Sequence, residues 1–235
     1  MLEKDFWRRY FKVYDVLNLV VPYQELLQGI IKETDIREGD LVLDAGGGTG
    51  NLALILEKQG AKVINLDFSQ EALEIHKKKN PHGQMILHNL TQKLPFPDNK
   101  FDKVISNNTL YNLPREKRLE TMLELKRVLK PKGKIVLSNI HKGFRPIKIY
   151  ITAIKENIKR YGILNTIKLV FKMIVPTIKM FYYNFIIQKE HKFNKNNLFD
   201  FNEQKELLNK TGFKNISETK LVYASQGILN GATKI

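Results

Sequence analysis

Leu41-Val42-Leu43-Asp44-Ala45-Gly46-Gly47-Gly48-Thr49-Gly50 is a short apolar strand that runs into a cluster of glycines. Glycine at such a turn lets a ligand approach the backbone and leaves the N–H groups of the following helix free to bind it. A Walker loop is disfavoured because Asn51-Leu52, rather than Lys and Ser or Thr, follow the last glycine. A dinucleotide-binding fingerprint is also disfavoured, because its third glycine would fall on Asn51.

Two acidic residues accompany this loop. Asp44 precedes the glycines, where a carboxylate would repel a pyrophosphate but would bind the amino group of a zwitterionic ligand. Asp67 stands 21 positions after Gly46, at the end of the next predicted strand, where a carboxylate can accept hydrogen bonds from both ribose hydroxyls. Taken singly, these features are typical of a tight turn and of a helix cap. Their combination predicts a nucleoside-containing cofactor without a phosphate group.

Outward from the loop, apolar runs alternate with helical patterns in a way that predicts βαβ units. The predicted strands are Leu41–Leu43, Lys62–Leu66, Gln84–Leu87, Val104–Ser106 and Lys134–Ser138. The predicted helices are Leu52–Gln59, Ser69–Lys79, Arg115–Leu129 and Asn202–Asn209, and two further strands flank Ser225–Gly227. The first five strands are apolar throughout, which is typical of a parallel sheet covered by helices on both faces. We therefore expect a doubly wound α/β sheet that ends in an antiparallel hairpin.

The composition excludes several classes of protein. The 235 residues carry 39 Lys and Arg against 24 Asp and Glu, a net charge of +15, and contain no Cys. Disulfide frameworks, thiol nucleophiles and zinc–thiolate sites are therefore excluded. The charged first residues lack a signal-peptide pattern, and Lys interrupts every apolar run before it reaches the length of a spanning helix. We expect a single domain over residues 1–235, in the cytoplasm or peripheral on the inner face of the membrane.

Four motifs in order resemble those of the class I S-adenosylmethionine-dependent methyltransferases. They are Asp44–Gly50, Asp67–Ser69, Leu94–Val104 and Leu125–Lys134. The resemblance covers residues 41–140 and continues weakly over 201–213. It implies a Rossmann-like sheet of seven strands with a helical insertion after the fifth strand, and it implies S-adenosylmethionine as the cofactor.

The same resemblance implies roles for single residues. The cofactor-binding residues that it implies are Tyr14, Asp44, Ala45, Gly46, Gly48, Gly50, Asp67, Phe68, Ser69, Asn89, Leu90 and Asn107. Within this set Asp44 and the loop backbone would hold the methionine part, Asp67 the ribose and Phe68 the adenine. Asn89 stands where the family often has an acidic residue, and its side-chain oxygen can still accept a hydrogen bond from the adenine amino group.

The N-terminal segment, residues 1–35, is predicted to be helical. Tyr14-Asp15 followed by Leu17-Asn18 resembles the branch of the family that includes the ubiquinone- and menaquinone-biosynthesis methyltransferases, in which such a Tyr closes over the cofactor. Packing of the segment's aromatic residues against the sheet is the alternative interpretation. One departure counts against a quinone acceptor: that branch has Phe-Gly-Leu-Arg-Asn after its fourth strand, whereas Asn107–Asn112 contains no Arg.

Methyl transfer from a sulfonium is an in-line displacement on an activated donor, so the enzyme mainly aligns the reactants and excludes water. No metal is required, and a base is needed only if the acceptor must lose a proton. The candidate catalytic residues are His141, Tyr111 and Asn108, at the predicted carboxyl edge of the sheet. We expect them to surround one cavity together with Tyr14. The alternatives are a surface histidine and a buried tyrosine, and His76, in a Lys-rich helix, is predicted to face solvent.

Residues 141–200 form a predicted basic helical insert. His141–Lys195 holds 12 basic and 2 acidic residues, a net charge of +10 out of the +15 of the whole chain. Ile147–Tyr161 and Ile163–Val175 each place apolar residues on one helical face and Lys on another, and Ile178–Ile187 is apolar almost throughout. Such a segment can be a lid over an apolar acceptor, a membrane-surface element, an RNA-binding face or a plain helical subdomain.

The sequence therefore predicts an S-adenosylmethionine-dependent methyltransferase. The preferred acceptor is a small amphiphilic or lipid-like molecule, such as a prenylated ring or a lipid headgroup, methylated at or near an anionic membrane surface. The alternative is an RNA methyltransferase or RNA-binding protein that uses the basic insert. It is favoured less, because RNA-binding faces rarely need so much continuous Ile and Phe.

Overall fold

A seven-stranded sheet with helices on both faces forms the body of the protein. The structure is a computed structural model, and it describes residues 4–190 and 197–235. The strands are Leu41–Ala45 (β1), Lys62–Asp67 (β2), Gln84–Leu87 (β3), Phe101–Asn107 (β4), Leu129–Ile140 (β5), Lys220–Val222 (β6) and Gly227–Thr233 (β7). Their order in the sheet is β3-β2-β1-β4-β5-β7-β6. Strand β7 runs antiparallel to both of its neighbours, β5 and β6, and the pairs among β1 to β5 are parallel. The doubly wound α/β sheet with a C-terminal antiparallel pair is thus confirmed.

Seven α-helices are described. They are Lys4–Tyr14 (α1), Val21–Thr34 (α2), Asn51–Lys58 (α3), Gln70–Lys79 (α4), Arg115–Val128 (α5), Pro146–Glu190 (α6) and Glu203–Lys210 (α7). Short 3-10 turns follow α1 at Asp15–Leu19 and β4 at Leu110–Asn112. Strand β5 begins earlier than the sequence predicts, because Leu129 pairs with Phe101 across the sheet before the main register of β4 and β5 begins.

The sheet separates two apolar layers because successive side chains of a strand point to opposite faces. Leu43 of β1 belongs to the layer that α5 covers through Met122. Its neighbour Val42 belongs to the opposite layer, together with Leu26 of α2 and Leu56 of α3. All five of these side chains are at most 1% exposed, so the strands are buried on both faces, as their apolar sequences predict.

The parallel strands bring their carboxyl ends to one edge of the sheet. Asp44 near the end of β1 pairs with Asn65 of β2, and Asn107 at the end of β4 pairs with Ser138 of β5. Because β1 lies between β2 and β4, the loop that follows β1 is flanked by the ends of both strands. Ligands of open α/β sheets bind at this edge, where the strand order reverses.

Helix α6 is the insertion after the fifth strand. It is interrupted at Gly162, whose backbone (φ 79°, ψ 168°) is not helical, so the predicted boundary between the two amphipathic segments matches the structure. The second segment continues through Pro176 to Glu190 rather than ending near Val175. Contacts with α1 and α2 fix the helix against the N-terminal side of the domain.

Candidate active site

The glycine loop after β1 is packed so tightly that only glycine fits at two of its positions. Gly46 has φ 81°, and a Cβ there would lie 2.3 Å from Cγ2 of Thr109. Gly50 has φ 77°, and a Cβ there would lie 2.3 Å from Cδ2 of His76. The Gly46 N–H donates to the Leu66 carbonyl at 2.7 Å, which ties the start of the loop to β2. The loop backbone is therefore held at the sheet edge, where the Gly46 N–H bonds to β2 and the Gly48 N–H bonds to the Asp67 carboxylate.

Asp44 lies directly beneath this loop. Its side chain is 1% exposed, and neither carboxylate oxygen has a hydrogen-bond partner among the described residues. Burial, and then the charge of Asp67, raise the pKa of Asp44 to about 7. A buried carboxylate without a partner is costly, and an ammonium group on a ligand would relieve that cost. The amino group of S-adenosylmethionine fits this position.

Asp67 at the end of β2 holds the loop from the other side. One carboxylate oxygen accepts from the Gly48 N–H and the other from the Ser69 N–H, both at 2.9 Å. Burial raises the pKa of Asp67, and these backbone donors act in the opposite direction. Each oxygen keeps a second acceptor direction, so the carboxylate can bind two ribose hydroxyls without giving up the loop. An Asn here would present an NH2 group to one of the two backbone donors.

The residues after Asp67 divide between the ligand side and the helix. Phe68 is 66% exposed, and stacking of its ring with a purine stays a prediction. Ser69 is the N-cap of α4: its hydroxyl accepts from the Ala72 N–H at 3.2 Å and donates to Glu71 at 3.0 Å. The Ser69 side chain therefore caps α4, and its backbone N–H donates to the Asp67 carboxylate.

Asn89 and Leu90 follow β3. The Asn89 side-chain oxygen accepts from both the N–H and the hydroxyl of Thr91 at 2.9 Å, so it closes a turn. Leu90 is buried in the core, and its carbonyl accepts from the Thr121 hydroxyl. Binding of adenine by the Asn89 oxygen would have to compete with the Thr91 bonds, and this role stays a prediction.

His76 was predicted to face solvent, and that prediction is wrong. Its side chain is 1% exposed and lies under the glycine loop, with Nδ1 2.7 Å from the Asn65 side-chain nitrogen. Asn65 also donates to the Gly48 carbonyl at 3.1 Å, so the two residues support the loop from below. Burial, and then two nearby lysines, lower the pKa of His76 to about 4, which keeps the ring neutral. The positions of Ala72, Leu73 and His76 on one helical face were the available sequence signal.

The turn after α1 binds the glycine loop from above. The Asp15 carboxylate accepts from the Thr49 hydroxyl at 2.7 Å and the Asn51 amide at 3.2 Å, and it pairs with Lys79 at 2.7 Å. Lys79 also donates to the Thr49 carbonyl at 3.0 Å. The Tyr14-Asp15 dipeptide is a motif of the sequence, but no role is predicted from it for Asp15. These contacts join residues 30 or more positions apart, which spacing along the chain does not reveal.

Tyr14 joins a group of phenols beside this turn. The group comprises Tyr10, Tyr14, Tyr23, Tyr111 and Tyr223. Burial, and then the neighbouring phenols, raise the pKa of Tyr14, and the pKa of Tyr23 is raised to about 12, also by burial first. Burial likewise raises the pKa of Tyr111. The group therefore offers neutral hydroxyls that can donate hydrogen bonds, and it does not offer a phenolate base near neutral pH.

The structure brings Tyr14 and Tyr111 together but gives His141 other partners. The Tyr111 N–H donates to the buried Asn139 side chain at 3.2 Å, and the Asn108 N–H donates to the Ser138 carbonyl at 2.7 Å, so the residues after β4 are fixed to β5. The His141 ring faces two carbonyl oxygens, that of Ser225 at 2.9 Å from Nε2 and that of Lys142 on the Nδ1 side.

The His141 imidazole is thus held in the hairpin turn between β6 and β7. A ring nitrogen that acts as a base must present its lone pair to the proton that the substrate loses. Here both ring nitrogens already face carbonyl oxygens of the protein. General-base catalysis by His141 stays a prediction, and this geometry argues against it. Asn107 was predicted to bind the cofactor and is better positioned for its role than His141 is for general-base catalysis. It ends β4, and its buried Oδ1 has no hydrogen-bond partner among the described residues.

Comparison with known proteins agrees with this site. Residues 43–137 match the family described as a methyltransferase domain. The demethylmenaquinone methyltransferase of Staphylococcus saprophyticus is 30% identical over 215 residues, covering 86% of this chain and 84% of that protein. The enzyme of the same name from Staphylococcus haemolyticus is 30% identical over 217 residues, covering 86% and 82%.

Solved structures share the fold. A methyltransferase from Aquifex aeolicus superposes with a TM-score of 0.63 at 19% identity and covers all of both chains. The magnesium protoporphyrin IX methyltransferase of Synechocystis, determined with bound S-adenosylmethionine, gives 0.60 at 18% identity and covers 98% of this chain and 90% of that one. The orphan carboxylate of Asp44, the exposed ring of Phe68 and the two-sided carboxylate of Asp67 fit that cofactor. The chain thus belongs to the class I S-adenosylmethionine-dependent methyltransferases, an enzyme family in which it is related to the quinone methyltransferases.

Proposed function

We propose that the enzyme methylates the ring of a small amphiphilic, quinone-type acceptor that it takes from the surface of an anionic membrane. The observation that carries this proposal is the exposed apolar face of α6, because α6 packs on α1 and the turn after α1 binds the cofactor loop through Asp15. The similarity to demethylmenaquinone methyltransferases over most of the chain supports a prenylated ring as the acceptor. The place of action proposed with it is the cytoplasmic face of the membrane, as a peripheral protein.

The apolar face of α6 is defined here by the large apolar side chains that are at least 40% exposed. They are Ile147, Ile151, Ile154, Ile158, Tyr161, Ile163, Leu164, Ile167, Phe171, Ile174, Val175, Ile178, Phe181, Tyr182 and Phe185. A monomeric soluble protein rarely leaves such a continuous apolar strip in water. The strip therefore needs a partner that accepts aliphatic and aromatic side chains along the whole helix.

Charge indicates an anionic lipid surface as that partner. At 100° per residue, Lys168, Lys172 and Lys179 form a row beside the apolar face, and Met173 on the opposite side packs into the core. No acidic residue stands between Glu156 and Glu190. Apolar side chains among acyl chains and lysines at the headgroup level are the arrangement of an interfacial helix.

The length of α6 corrects one expectation from the sequence. By length and composition, Pro146–Tyr183 suffices to cross a membrane, although Lys residues were expected to rule out any such segment. Only 11% of its most apolar stretch of 18 residues is buried. The break at Gly162 and the core contacts of Ile149 and Met173 favour a helix that lies along the domain and the membrane surface.

The chemistry follows from the residues of the site. S-adenosylmethionine supplies a methyl group on a sulfonium sulfur; in-line displacement moves the methyl to a ring carbon of the acceptor, the bonding electron pair stays on sulfur, and the ring gives up one proton to solvent. Asp44 holds the methionine part of the donor and Asp67 holds its ribose, and the phenol group of Tyr14 and Tyr111 covers the reacting end. The raised pKa values of these phenols fit an acceptor that is itself nucleophilic, such as an electron-rich hydroquinone ring.

Methyl transfer from labelled cofactor tests the acceptor. We expect a reduced demethylmenaquinone analogue with a short prenyl chain to be methylated, and RNA and protein extracts to remain unlabelled. The Asp67→Ala variant should lose most cofactor affinity, because two hydrogen bonds to a charged acceptor contribute about 1.5–3 kcal/mol each. Labelling of RNA and not of the quinol analogue would refute the proposal in favour of an RNA methyltransferase.

Vesicle co-sedimentation tests the location. We expect partition to anionic vesicles that salt weakens and that the double variant Lys168→Glu/Lys172→Glu reduces strongly. The matched control is Lys58→Glu/Lys62→Glu, which reverses two exposed charges away from α6 and should leave partition unchanged. Equal loss in both double variants would mean that net charge, rather than α6, determines binding.

A further inference from the structure

Helix α1 contacts the proposed membrane-binding helix, and the turn that follows α1 contacts the cofactor loop. Phe6 of α1 packs edge-on against Tyr183 of α6, with ring centroids 5.3 Å apart, and Tyr10 meets the same ring at 6.4 Å. At its other end, α1 runs into the turn where Asp15 binds Thr49 and Asn51 of the glycine loop. One short helix of 11 residues therefore connects the two sites.

Tyr183 occupies the inner side of α6. It is half-buried against α1, whereas Phe181, Tyr182 and Phe185 of the same stretch are 45%, 61% and 67% exposed. If lipid binds the outer side of this stretch of α6, it would thus hold in place the inner side, which contacts α1. Within the domain, Met180 packs against the core and the ring centroid of Phe181 lies 5.9 Å from that of Tyr150, so this stretch is also held by contacts other than those with α1.

The link at the cofactor end is polar and specific. The Asp15 carboxylate accepts from the Thr49 hydroxyl and the Asn51 amide and pairs with Lys79, with its side chain 24% exposed. Asn51 is the first residue of α3, so the contact reaches the start of the helix whose N–H groups face the ligand side. Release of α1 would remove a hydrogen-bond acceptor from two loop residues and uncover Tyr14.

We propose that binding of α6 to an anionic lipid surface increases cofactor affinity by holding α1 over the glycine loop. The inference rests on the proposed membrane-surface location, but it does not depend on the identity of the acceptor. Asp15 and Tyr183 act here as positioning residues at the two ends of α1. Coupling of this kind is reciprocal, so bound cofactor must strengthen lipid binding by the same factor.

The test measures cofactor affinity without any acceptor. The demethylated product, S-adenosylhomocysteine, is titrated into the full chain with and without vesicles of phosphatidylglycerol and phosphatidylcholine. We expect the vesicles to tighten binding about tenfold, which lies within the usual range of coupling between sites. Saturating product should raise the partition of the protein to the vesicles by the same factor.

Two aromatic residues of α6 form the matched pair of variants. Tyr183→Ala removes the ring that contacts α1 and leaves the exposed apolar side chains of the outer face in place, so the protein should still bind vesicles while the tenfold effect disappears. Phe185→Ala removes a ring of the outer face that is 67% exposed, so vesicle binding should weaken while the remaining bound protein keeps the effect. Asp15→Asn should lower product affinity and remove most of the response to vesicles.

Three outcomes would overturn the inference. The first is vesicle binding by the wild-type chain with unchanged product affinity, and the second is a tenfold effect that survives in Tyr183→Ala. The third is no vesicle binding at all, which would also remove the proposed location. In each case methylation of the quinol analogue in detergent remains an independent result, so failure of the coupling and failure of the proposed acceptor are distinguishable.

Discussion

Replacement of Asp44 by Asn should stabilise the ligand-free protein and at the same time impair it as an enzyme. The Asp44 carboxylate is buried without a partner, and its pKa is raised from 3.8 to about 7. A difference of about 3 pKa units corresponds to ~4 kcal/mol of destabilisation by the ionised carboxylate, at about 1.4 kcal/mol for each unit. Asn keeps the shape of the side chain and removes the charge, so this destabilisation is lost.

The sign and the pH window follow from the two pKa values. Because the folded pKa lies above the unfolded one, Asp44 costs no stability below about pH 4, and its destabilising effect grows as the pH rises from about 4 to about 7. Asp44→Asn should therefore raise the free energy of unfolding more at pH 8 than at pH 5, and the two increases should differ by roughly 2.5 kcal/mol. Urea unfolding of both proteins at pH 5 and pH 8, followed by circular dichroism, measures this difference.

Although Asp44→Asn should stabilise the ligand-free protein, it should weaken cofactor binding. Loss of a hydrogen bond between a carboxylate and an ammonium group costs about 1.5–3 kcal/mol, so Asp44→Asn should weaken S-adenosylmethionine binding by at least about tenfold. In the wild type, binding should release protons near pH 7, because the ligand ammonium favours the ionised carboxylate. Calorimetry in buffers of different ionisation enthalpy would detect this release, and the variant should show less of it.

Asp102→Asn provides the matched control with the opposite sign. Although burial acts to raise it, the pKa of Asp102 is lowered, because Lys130 and the Leu41 N–H donate to the carboxylate. This variant should therefore lose stability at pH 8 and approach the wild type as the pH falls below about 4. If Asp44→Asn is no more stable at pH 8 than at pH 5 relative to the wild type, the reasoning about the orphan carboxylate is refuted.

Three further variants test other contacts. Phe68→Ala should leave the melting temperature unchanged, because the ring is 66% exposed, and should weaken cofactor binding by about 1–3 kcal/mol in a titration; unchanged affinity would exclude purine stacking. His141→Ala should reduce kcat by less than about tenfold and leave its pH profile intact, whereas a loss of about a hundredfold or more would establish a general base. Lys234→Met should lower the free energy of unfolding by about 2 kcal/mol, since Lys234 donates to the carbonyls of Lys126 and Leu129 at 2.8 and 2.6 Å; equal unfolding midpoints in urea would contradict this.

The parts of the site that the sequence predicted are those encoded locally. Asp44 and the glycine loop occupy seven consecutive residues, Asp44–Gly50, and Asp67 ends the next strand, so strand pairing alone brings them to one edge. The α/β alternation likewise follows from short apolar runs between helical patterns. The helix break at Gly162 was also readable, because a glycine there separates two amphipathic segments.

The remaining parts depend on contacts between distant segments. His76 lies beneath the glycine loop because α4 turns its buried face toward β2, and a Lys-rich helix gives little sign of this. Asp15 meets Thr49 across 34 positions, so no local pattern indicates the bond. One partner of the His141 ring, the Ser225 carbonyl, comes from the hairpin turn 84 residues later. Tertiary packing, rather than periodicity, determines these three positions.

The insertion of β7 between β5 and β6 has a consequence for biosynthesis. Strand β5 pairs with β4 on one side and with β7, through seven residue pairs, on the other. Because translation reaches Gly227–Thr233 after every other strand, β5 presents an open edge with Val136 and Leu137 until the ribosome has released that stretch. The incomplete sheet is therefore open to pairing with other chains at this stage, and we expect a stop codon ahead of β7 to yield a product that aggregates rather than a smaller folded enzyme.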